Sequence, residues 1–268
     1  MALSSLCMAR LVKRPRLQQI LEFCAEQPIE RVFLEDVARR GLGRFAALRG
    51  EGRFTALCHL GANLVPSGRG AGAFAEVVTR GEPRMLVGEE SAVTALWEAA
   101  RDLLPDPLDD RPGQPVYVLD EPPAAGGSGL RRARVEDLDA LVVAAAEAYR
   151  EEVGVDAYSR DPALFEWRTR VQIDEGRSWV WREDGHILFK AEASAWTPHA
   201  VQLQQVWVEP ELRGRGYGKR GLADLCRILL ETTPVVCLFV RPENVPAIAL
   251  YDGVGMRRTI TYRSLIFG

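Results

Sequence analysis

The segment Val206-Trp207-Val208-Glu209-Pro210-Glu211-Leu212-Arg213-Gly214-Arg215-Gly216-Tyr217-Gly218-Lys219 passes from an apolar run through a turn into glycines interleaved with cations. The run ending at Val208 reads as a strand. Residues 217–230 read as a helix with Leu222, Leu225, Cys226 and Leu229 on one face. Glycines let the backbone adopt positive φ and come close to a ligand. The first N–H groups of a helix lack internal partners, and the helix dipole favours anions there. With Arg213, Arg215 and Lys219 beside them, the segment reads as a cradle for pyrophosphate or as a glycine turn with a solvated basic face.

Two other phosphate motifs fit less well. A Walker loop requires G-x-x-x-x-G-K-[ST], but Gly218-Lys219 is followed by Arg220 and position 213 is Arg. Gly216, Gly218 and Gly221 satisfy G-x-G-x-x-G, and Glu243 stands near the expected acidic position. A dinucleotide fold, however, runs its strand almost directly into the first glycine. Here seven residues separate Val208 from Gly216, and only 25 follow Glu243.

Outward from this segment the C-terminal half reads β-α-α-β-β-β-α-β-α-β. Leu130–Arg134 is a short strand. Leu138, Leu141, Val142, Ala145 and Tyr149 mark one helix face. A second helix runs from Pro162 to Glu175, with Asp161 at its N-cap position and Gly176 at its end. Asp184-Gly185 between two apolar runs predicts a hairpin. Strands at Val201–Val208 and Pro234–Val240, a helix at Pro246–Asp252 and a strand at Thr259–Phe267 complete it.

The N-terminal half gives a weaker α-α-β-β-(α)-β-α-β pattern. Its helices centre on Leu17–Cys24 and Ile29–Val37, its strands on Phe45–Leu48, Phe54–Leu60, Met85–Val87 and Val116–Leu119, and a third helix covers 90–103. No residue-level repeat relates the halves. Six prolines from Pro105 to Pro123, followed by Gly126, Gly127 and Gly129, mark a connection. The expected organisation is an N-terminal domain at 1–120, a linker at 121–129 and a C-terminal domain at 130–268.

Composition narrows the function classes. The 268 residues carry 34 Lys+Arg against 37 Asp+Glu, a net charge of −3, which argues against an electrostatic nucleic-acid binder. The apolar run Leu141–Ala146 is far short of a membrane span. The basic cluster Arg10, Lys13, Arg14, Arg16 comes after the weakly apolar N-terminus, the reverse of a secretory signal. Five scattered cysteines (7, 24, 58, 226, 237) without C-x-x-C, and only three histidines (59, 186, 199), point to reduced thiols, a cytoplasmic location and no metal centre.

Arg213-Gly214-Arg215-Gly216-Tyr217-Gly218 also reads R-x-x-G-x-G, and Asn244, Ala247, Leu250-Tyr251 and Gly255 come after it at set spacing. Together these residues resemble the GCN5-related N-acetyltransferases, the GNAT family, over Leu130–Gly268. The resemblance implies an α/β (α+β) chain whose C-terminal domain has a mixed, splayed central sheet. The whole pattern resembles bacterial two-part members whose smaller α/β N-terminal domain is a degenerate GNAT half. It implies acetyl-CoA as cosubstrate, with no metal, and transfer of acetyl to a primary amine of a small molecule or protein by direct attack in a ternary complex. Backbone groups of Val206, Trp207 and Val208 would meet the pantetheine arm. Residues Arg213, Gly214, Arg215, Gly216, Tyr217, Gly218 and Lys219 would hold the pyrophosphate.

Asn244 would reach the pantetheine or cap the helix before Pro246. Tyr251 would border the cofactor and protonate the departing thiolate, as a phenol can; otherwise it is a buried aromatic. The first splayed strand carries Gln202, Gln204 and Gln205 where a base is expected, and Phe239 replaces the Glu of ribosomal-protein acetyltransferases. Glu152, Glu192, His199 or water remain as bases. By analogy Tyr149, Glu151, Glu152, Tyr158 and Trp167 border the acceptor. The N-terminal half lacks R-x-x-G-x-G, and Gly88-Glu89-Glu90 stands at the corresponding turn, so no catalytic acetyl-CoA site is expected there. That half would shape the acceptor pocket, bind a partner or pair two copies as a homodimer. The rival reading is an acyl-CoA-binding regulatory or sensor protein with little catalysis.

Overall fold

A computed structural model describes residues 9–78, 83–154 and 156–267. In chain order the N-terminal elements are β1 (Arg10–Val12), α1 (Leu17–Ala25), α2 (Val32–Arg39), β2 (Arg44–Gly50), β3 (Arg53–Leu60), β4 (Asn63–Gly68), a 3-10 turn at Ala71–Glu76, β5 (Met85–Glu89), α3 (Glu90–Ala100) and β6 (Asp109–Leu119). Next come β7 (Arg131–Arg132), α4 (Leu138–Val153), α5 (Ala157–Arg160), α6 (Pro162–Asp174), β8 (Ser178–Glu183), β9 (His186–Trp196) and β10 (Val201–Val208). The last are α7 (Tyr217–Leu230), β11 (Val236–Phe239), α8 (Val245–Val254) and β12 (Arg257–Ile266).

Contacts divide the chain into two units. The first comprises residues up to Val116 with Phe239–Asn244 and Arg258–Gly268; the second comprises Tyr117–Leu238 and Val245–Arg257. Composition alone draws the line at 121–129, whereas pairing draws it strand by strand. The C-terminal strand β12 groups with the first unit because it lies antiparallel to β5, with Tyr262 opposite Glu89 and Ile266 opposite Met85.

In the first unit the strand order is β1-β2-β3-β4-β5-β12-β6. One core cluster packs α3 and the 3-10 turn on the sheet through Phe74, Val93, Leu96 and Leu265. Another, around Phe23, Leu34, Phe54 and Leu57, seats α1 and α2. Three strands depart from the sequence expectation: β1, paired with β2, lies outside the expected pattern, and in the other two proline is the reason. β6 begins at Asp109 rather than Val116 and runs through Pro112 and Pro115. Proline removes a donor but keeps its acceptor, and the Pro115 carbonyl accepts from the Val240 N–H at 3.3 Å. β4 contains Pro66, a residue that argues against a strand when only the sequence is considered.

The glycine turn of this unit also differs from expectation. Gly88-Glu89-Glu90 is the direct step from β5 into α3. The segment after an antiparallel-paired strand, in the position that 213–218 occupies after β10, is Gly68-Arg69-Gly70-Ala71-Gly72. It shares the spacing Gly-Arg-Gly-x-Gly with Gly214–Gly218, so a short residue-level repeat exists after all.

The second unit has strand order β11-β10-β9-β8-β7. One face is covered by α4 and α6, with Leu141, Ala148, Ile173, Val180 and Trp207 in its core. α6 starts as expected: the Asp161 carboxylate accepts from the Leu164 N–H at 3.0 Å, with Pro162 in the first turn. The hairpin between β8 and β9 turns on Asp184 and Gly185, both at positive φ (48° and 86°), as a two-residue turn of matching twist requires. On the other face Gly221 of α7 lies so close to β9 that an added Cβ would meet the Phe189 ring at 2.6 Å.

The expected linker is not loose. The Asp224 carboxylate on α7 accepts from the N–H groups of Gly126 and Ser128, both at 2.7 Å, and from Ser128 Oγ at 2.6 Å. Arg227 donates to the Pro123 carbonyl at 2.9 Å, and Arg220 to those of Gly126 and Gly127. Burial pushes the Asp224 carboxyl up, but the hydrogen bonds from Ser128 and Gly126 outweigh it and hold the pKa below the usual range. Both the N–H groups and the carbonyls of this segment are thus taken by side chains of the helix it crosses.

Candidate active site

The site in the second unit begins where two parallel strands part. β10 and β11 are paired at Val201↔Val236 and Gln202↔Cys237. β10 continues to Val208, beyond that short register. On its other side β10 pairs with β9, but the register slips between Gln204 and Trp207. Gln205 takes up the extra residue at φ 49°, an uncommon conformation for a side-chain-bearing residue. A strand end freed from one neighbour and bulged against the other presents backbone N–H and C=O groups for a ligand. Trp207 offers only its backbone there, since its side chain is buried in the α4 core.

The bulge is anchored by a buried polar cluster that sequence reasoning missed. Lys190 Nζ donates to Glu192 Oε1 at 2.8 Å and to Gln205 Oε1 at 2.7 Å, and Gln204 Nε2 donates to Glu192 Oε2 at 3.3 Å. Lys190 is fully buried. A buried charge is tolerable only when paired and hydrogen-bonded, so the lysine and glutamine side chains hold Glu192 as a counter-ion. That removes Glu192 from the candidate bases. The signal was a lone Lys in an otherwise apolar strand, Ile187-Leu-Phe-Lys-Ala.

Beyond Val208 the chain makes a 3-10 turn at Pro210–Leu212 and enters the glycine loop. Gly214 (φ 74°) and Gly216 (φ 86°) are left-handed, with open space where a Cβ would stand. Gly216 is the N-cap of α7. Gly218 faces Val208, 3.2 Å from its would-be Cβ, and Leu250 of α8. Arg215 and Lys219 are exposed, with no side-chain partner among the described residues. Arg213 is engaged: its guanidinium takes both Glu151 oxygens, at 2.8 and 3.0 Å, and the Val208 carbonyl at 3.1 Å. The Tyr217 ring is also taken, tilted against Trp181 at 5.0 Å, so this residue too has only its backbone to offer.

Tyr251 on α8 is 6% exposed and meets Tyr117 edge-on at 5.4 Å. Burial raises its pKa above the ordinary phenol value, and the Glu152 carboxylate and Tyr117 add to the rise. The group is therefore a neutral proton donor at physiological pH. Asn244, in the Phe239–Asn244 turn, donates its N–H to the Arg241 carbonyl at 3.0 Å one residue before α8.

His199 sits on the β9–β10 turn with its N–H on Thr197 Oγ1 at 3.1 Å, at the end of β10 away from the glycine loop. At about 3.3 Å per residue the intervening strand puts it well beyond proton-transfer reach of that loop. Tyr149 and Tyr158 both pack edge-on against Phe165, at 6.4 and 5.9 Å, between α4, α5 and α6. Trp167 is 60% exposed. Burial pushes the Cys24 and Cys226 thiols up to about 12, which disfavours the nucleophilic thiolate. Cys7 lies outside the described residues. Among the described residues no cluster could hold a metal ion, and no helix is long and apolar enough to cross a membrane.

Residues 138–256 match the acetyltransferase (GNAT) family, and residues 43–141 match a domain of unknown function (DUF4081). The C-terminal part of this chain is a GNAT domain. Its family is one of acyltransferases, and the splayed strands, glycine loop and α8 all lie inside the matched stretch. Similar solved structures include an acetyltransferase from the GNAT family from Colwellia psychrerythraea, at 12% identity and TM-score 0.57, covering 97% of this chain and 100% of that one. A GCN5-related N-acetyltransferase from Sphaerobacter thermophilus gives 18% and 0.59, covering 95% and 94%. A tandem GNAT protein from the clavulanic acid biosynthesis pathway gives 15% and 0.55, covering 97% and 99%. At these identities the likeness is one of fold, and it extends from the GNAT domain over the N-terminal half. No curated protein matches the chain.

Proposed function

We propose that the GNAT domain transfers an acetyl group from acetyl-CoA to a primary amine by direct attack. The observation that carries this reading is the opened β10 end beside Gly214–Gly218 with the buried Tyr251 on α8. The freed backbone of Val206–Val208 suits the amides of the pantetheine arm. The loop from Arg213 to Gly218, with Arg215 and Lys219, suits the pyrophosphate, and Arg213 would exchange Glu151 for it. Asn244, entering α8, would meet the arm. The amine attacks the thioester carbonyl, the C–S bond of the tetrahedral adduct breaks, and the Tyr251 phenol gives its proton to the departing thiolate. The acceptor, an ammonium in water, must lose one proton before it attacks; the adduct nitrogen then loses a second, which restores the Tyr251 phenol through solvent. Glu192 is committed to Lys190 and His199 is remote, which leaves Glu152, whose charge bears on Tyr251, directly or through water. Glu152 and the aromatic Tyr149–Phe165–Tyr158 group would favour a cationic acceptor.

The test is CoA release from acetyl-CoA with a panel of amines, for the wild type and Tyr251→Phe. Turnover that falls about 10²-fold in the variant, with an unchanged KM for acetyl-CoA, is the expected result. Equal turnover removes Tyr251 from the chemistry. Tight acetyl-CoA binding with no release for any amine favours the sensor reading instead.

A further inference from the structure

The first unit holds a cavity of about 630 Å³ that the acetyl-transfer reading does not use. It opens where β4 and β5, parallel and paired at Asn63↔Met85 and Leu64↔Leu86, come apart. Three arginines line it: Arg31 from the start of α2, Arg53 from the start of β3, and Arg69 from the loop after β4. Two carboxylates line it as well, and both are engaged. Glu89 accepts from Ser67 Oγ, and Glu26 lies 3.6 Å from Arg31.

Arg31 is buried and held in place. It donates to Ser67 Oγ at 3.0 Å, to Gln27 Oε1 at 2.5 Å and to the Phe23 carbonyl, with its guanidinium over the Phe23 ring. Arg53 and Arg69 are different: they are exposed at the rim, and their guanidinium groups have no partner among the described residues. Phe54 and Ala95 also line the cavity.

We infer that this cavity is a second binding site, for a phosphorylated small molecule whose phosphate is taken by Arg53 and Arg69. Two available guanidinium groups, one from β3 and one from the loop after β4, suit a phosphate, which carries about −1.5 to −2 charge and three acceptor oxygens. A carboxylate is satisfied by one bidentate arginine. Arg31, its charge offset by Glu26 and Glu89, fixes the floor through its hydrogen bonds, and Phe54 and Ala95 give the remainder of the ligand an apolar wall. The arginines, and not the loop glycines, make the site, because Gly68 is required by packing: its Cβ would meet the Thr55 carbonyl at 2.4 Å. The site is independent of the acetyl-transfer reading, and either can fail alone.

The test uses the full chain carrying Arg213→Gln and Arg215→Gln, which weakens the loop of the second unit. Inorganic pyrophosphate, CoA, glucose 6-phosphate and succinate are titrated by calorimetry. One saturable equivalent of a phosphorylated probe should remain, and adding Arg53→Gln and Arg69→Gln should weaken it at least 10-fold without changing the melting temperature. Preference for CoA over pyrophosphate and glucose 6-phosphate identifies a nucleotide-type carrier, and the reverse identifies a phosphorylated metabolite; both support the site. No saturable binding, binding indifferent to Arg53 and Arg69, or succinate binding as tightly as the phosphates overturns it.

Discussion

Tyr251 and Asp137 show how burial gives one side chain opposite uses. Tyr251 is buried without a counter-charge, so its neutral form is favoured and its pKa rises. Its folded-state preference is complete below the ordinary phenol value near 10 and is lost as pH rises through the raised one. The rate should therefore show no loss attributable to Tyr251 below about pH 10, which a pH–rate profile of wild type against Tyr251→Phe would reveal. Asp137 is buried with its partners: Arg131 at 2.7 and 2.9 Å, Arg182 at 3.0 Å and the Arg134 N–H at 2.9 Å. The Arg131 hydrogen bonds, set against burial, hold its carboxyl well below the usual range. The stability it gives is present above the ordinary carboxylate value and is lost as pH falls through the lowered one. Asp137→Asn should cost about 1.5–3 kcal/mol at neutral pH. The difference from wild type should shrink below about pH 4 in denaturant melts.

At the scale of elements, the wedge depends on β10 being bulged and on α7 lying close. Lys190→Met strands Glu192 in the interior and should destabilise by about 3–5 kcal/mol. Replacing Glu192 with Leu as well should recover much of that, since an apolar pair needs no counter-ion; a double-mutant cycle by urea denaturation reads this out. Gly221→Ala puts a methyl into the Phe189 ring and should cost about 1–3 kcal/mol, seen as a lower melting temperature. Gly221 was visible in sequence only as the third glycine of a dinucleotide pattern. Its place in the structure is a packing contact on β9, whose two neighbours are both antiparallel to it, so the pattern arises without a dinucleotide.

Across the molecule, two units each contain a parallel strand pair that separates after two register positions. They differ in the element that the glycine loop enters. In the second unit the loop leads into α7, of 14 residues; in the first it leads into a 3-10 turn of 6. The second therefore presents helix N-terminal N–H groups and the first presents arginines. Acetyl-CoA, NAD and ATP compared by thermal shift test the whole arrangement. Ligand at about 100 times its Kd stabilises the fold by about 2.7 kcal/mol, several degrees for a chain of this size. A rise with acetyl-CoA and none with NAD is expected, and a rise with NAD alone would return the dinucleotide reading.

The amphipathic periods of residues 138–153 and 217–230, the Asp161-Pro162 cap, the Asp184-Gly185 turn and the Gly214–Gly218 spacing were legible because each depends on neighbours along the chain. These local signals determined the order of elements in the C-terminal half, apart from the short α5, and located the glycine loop. The strands at 63–68 and 109–115 were hidden by Pro66, Pro112 and Pro115, whose tolerance depends on where hydrogen-bond partners lie across the sheet. The Lys190–Glu192–Gln205 cluster joins two strands, and the attachment of 121–129 to Asp224 joins residues about 100 apart. Only tertiary structure decided that Glu192 is a counter-ion and that Arg213 is engaged while Arg53 and Arg69 are not. A side chain's chemistry is written in the sequence, but its partners are fixed by which surfaces the fold brings together.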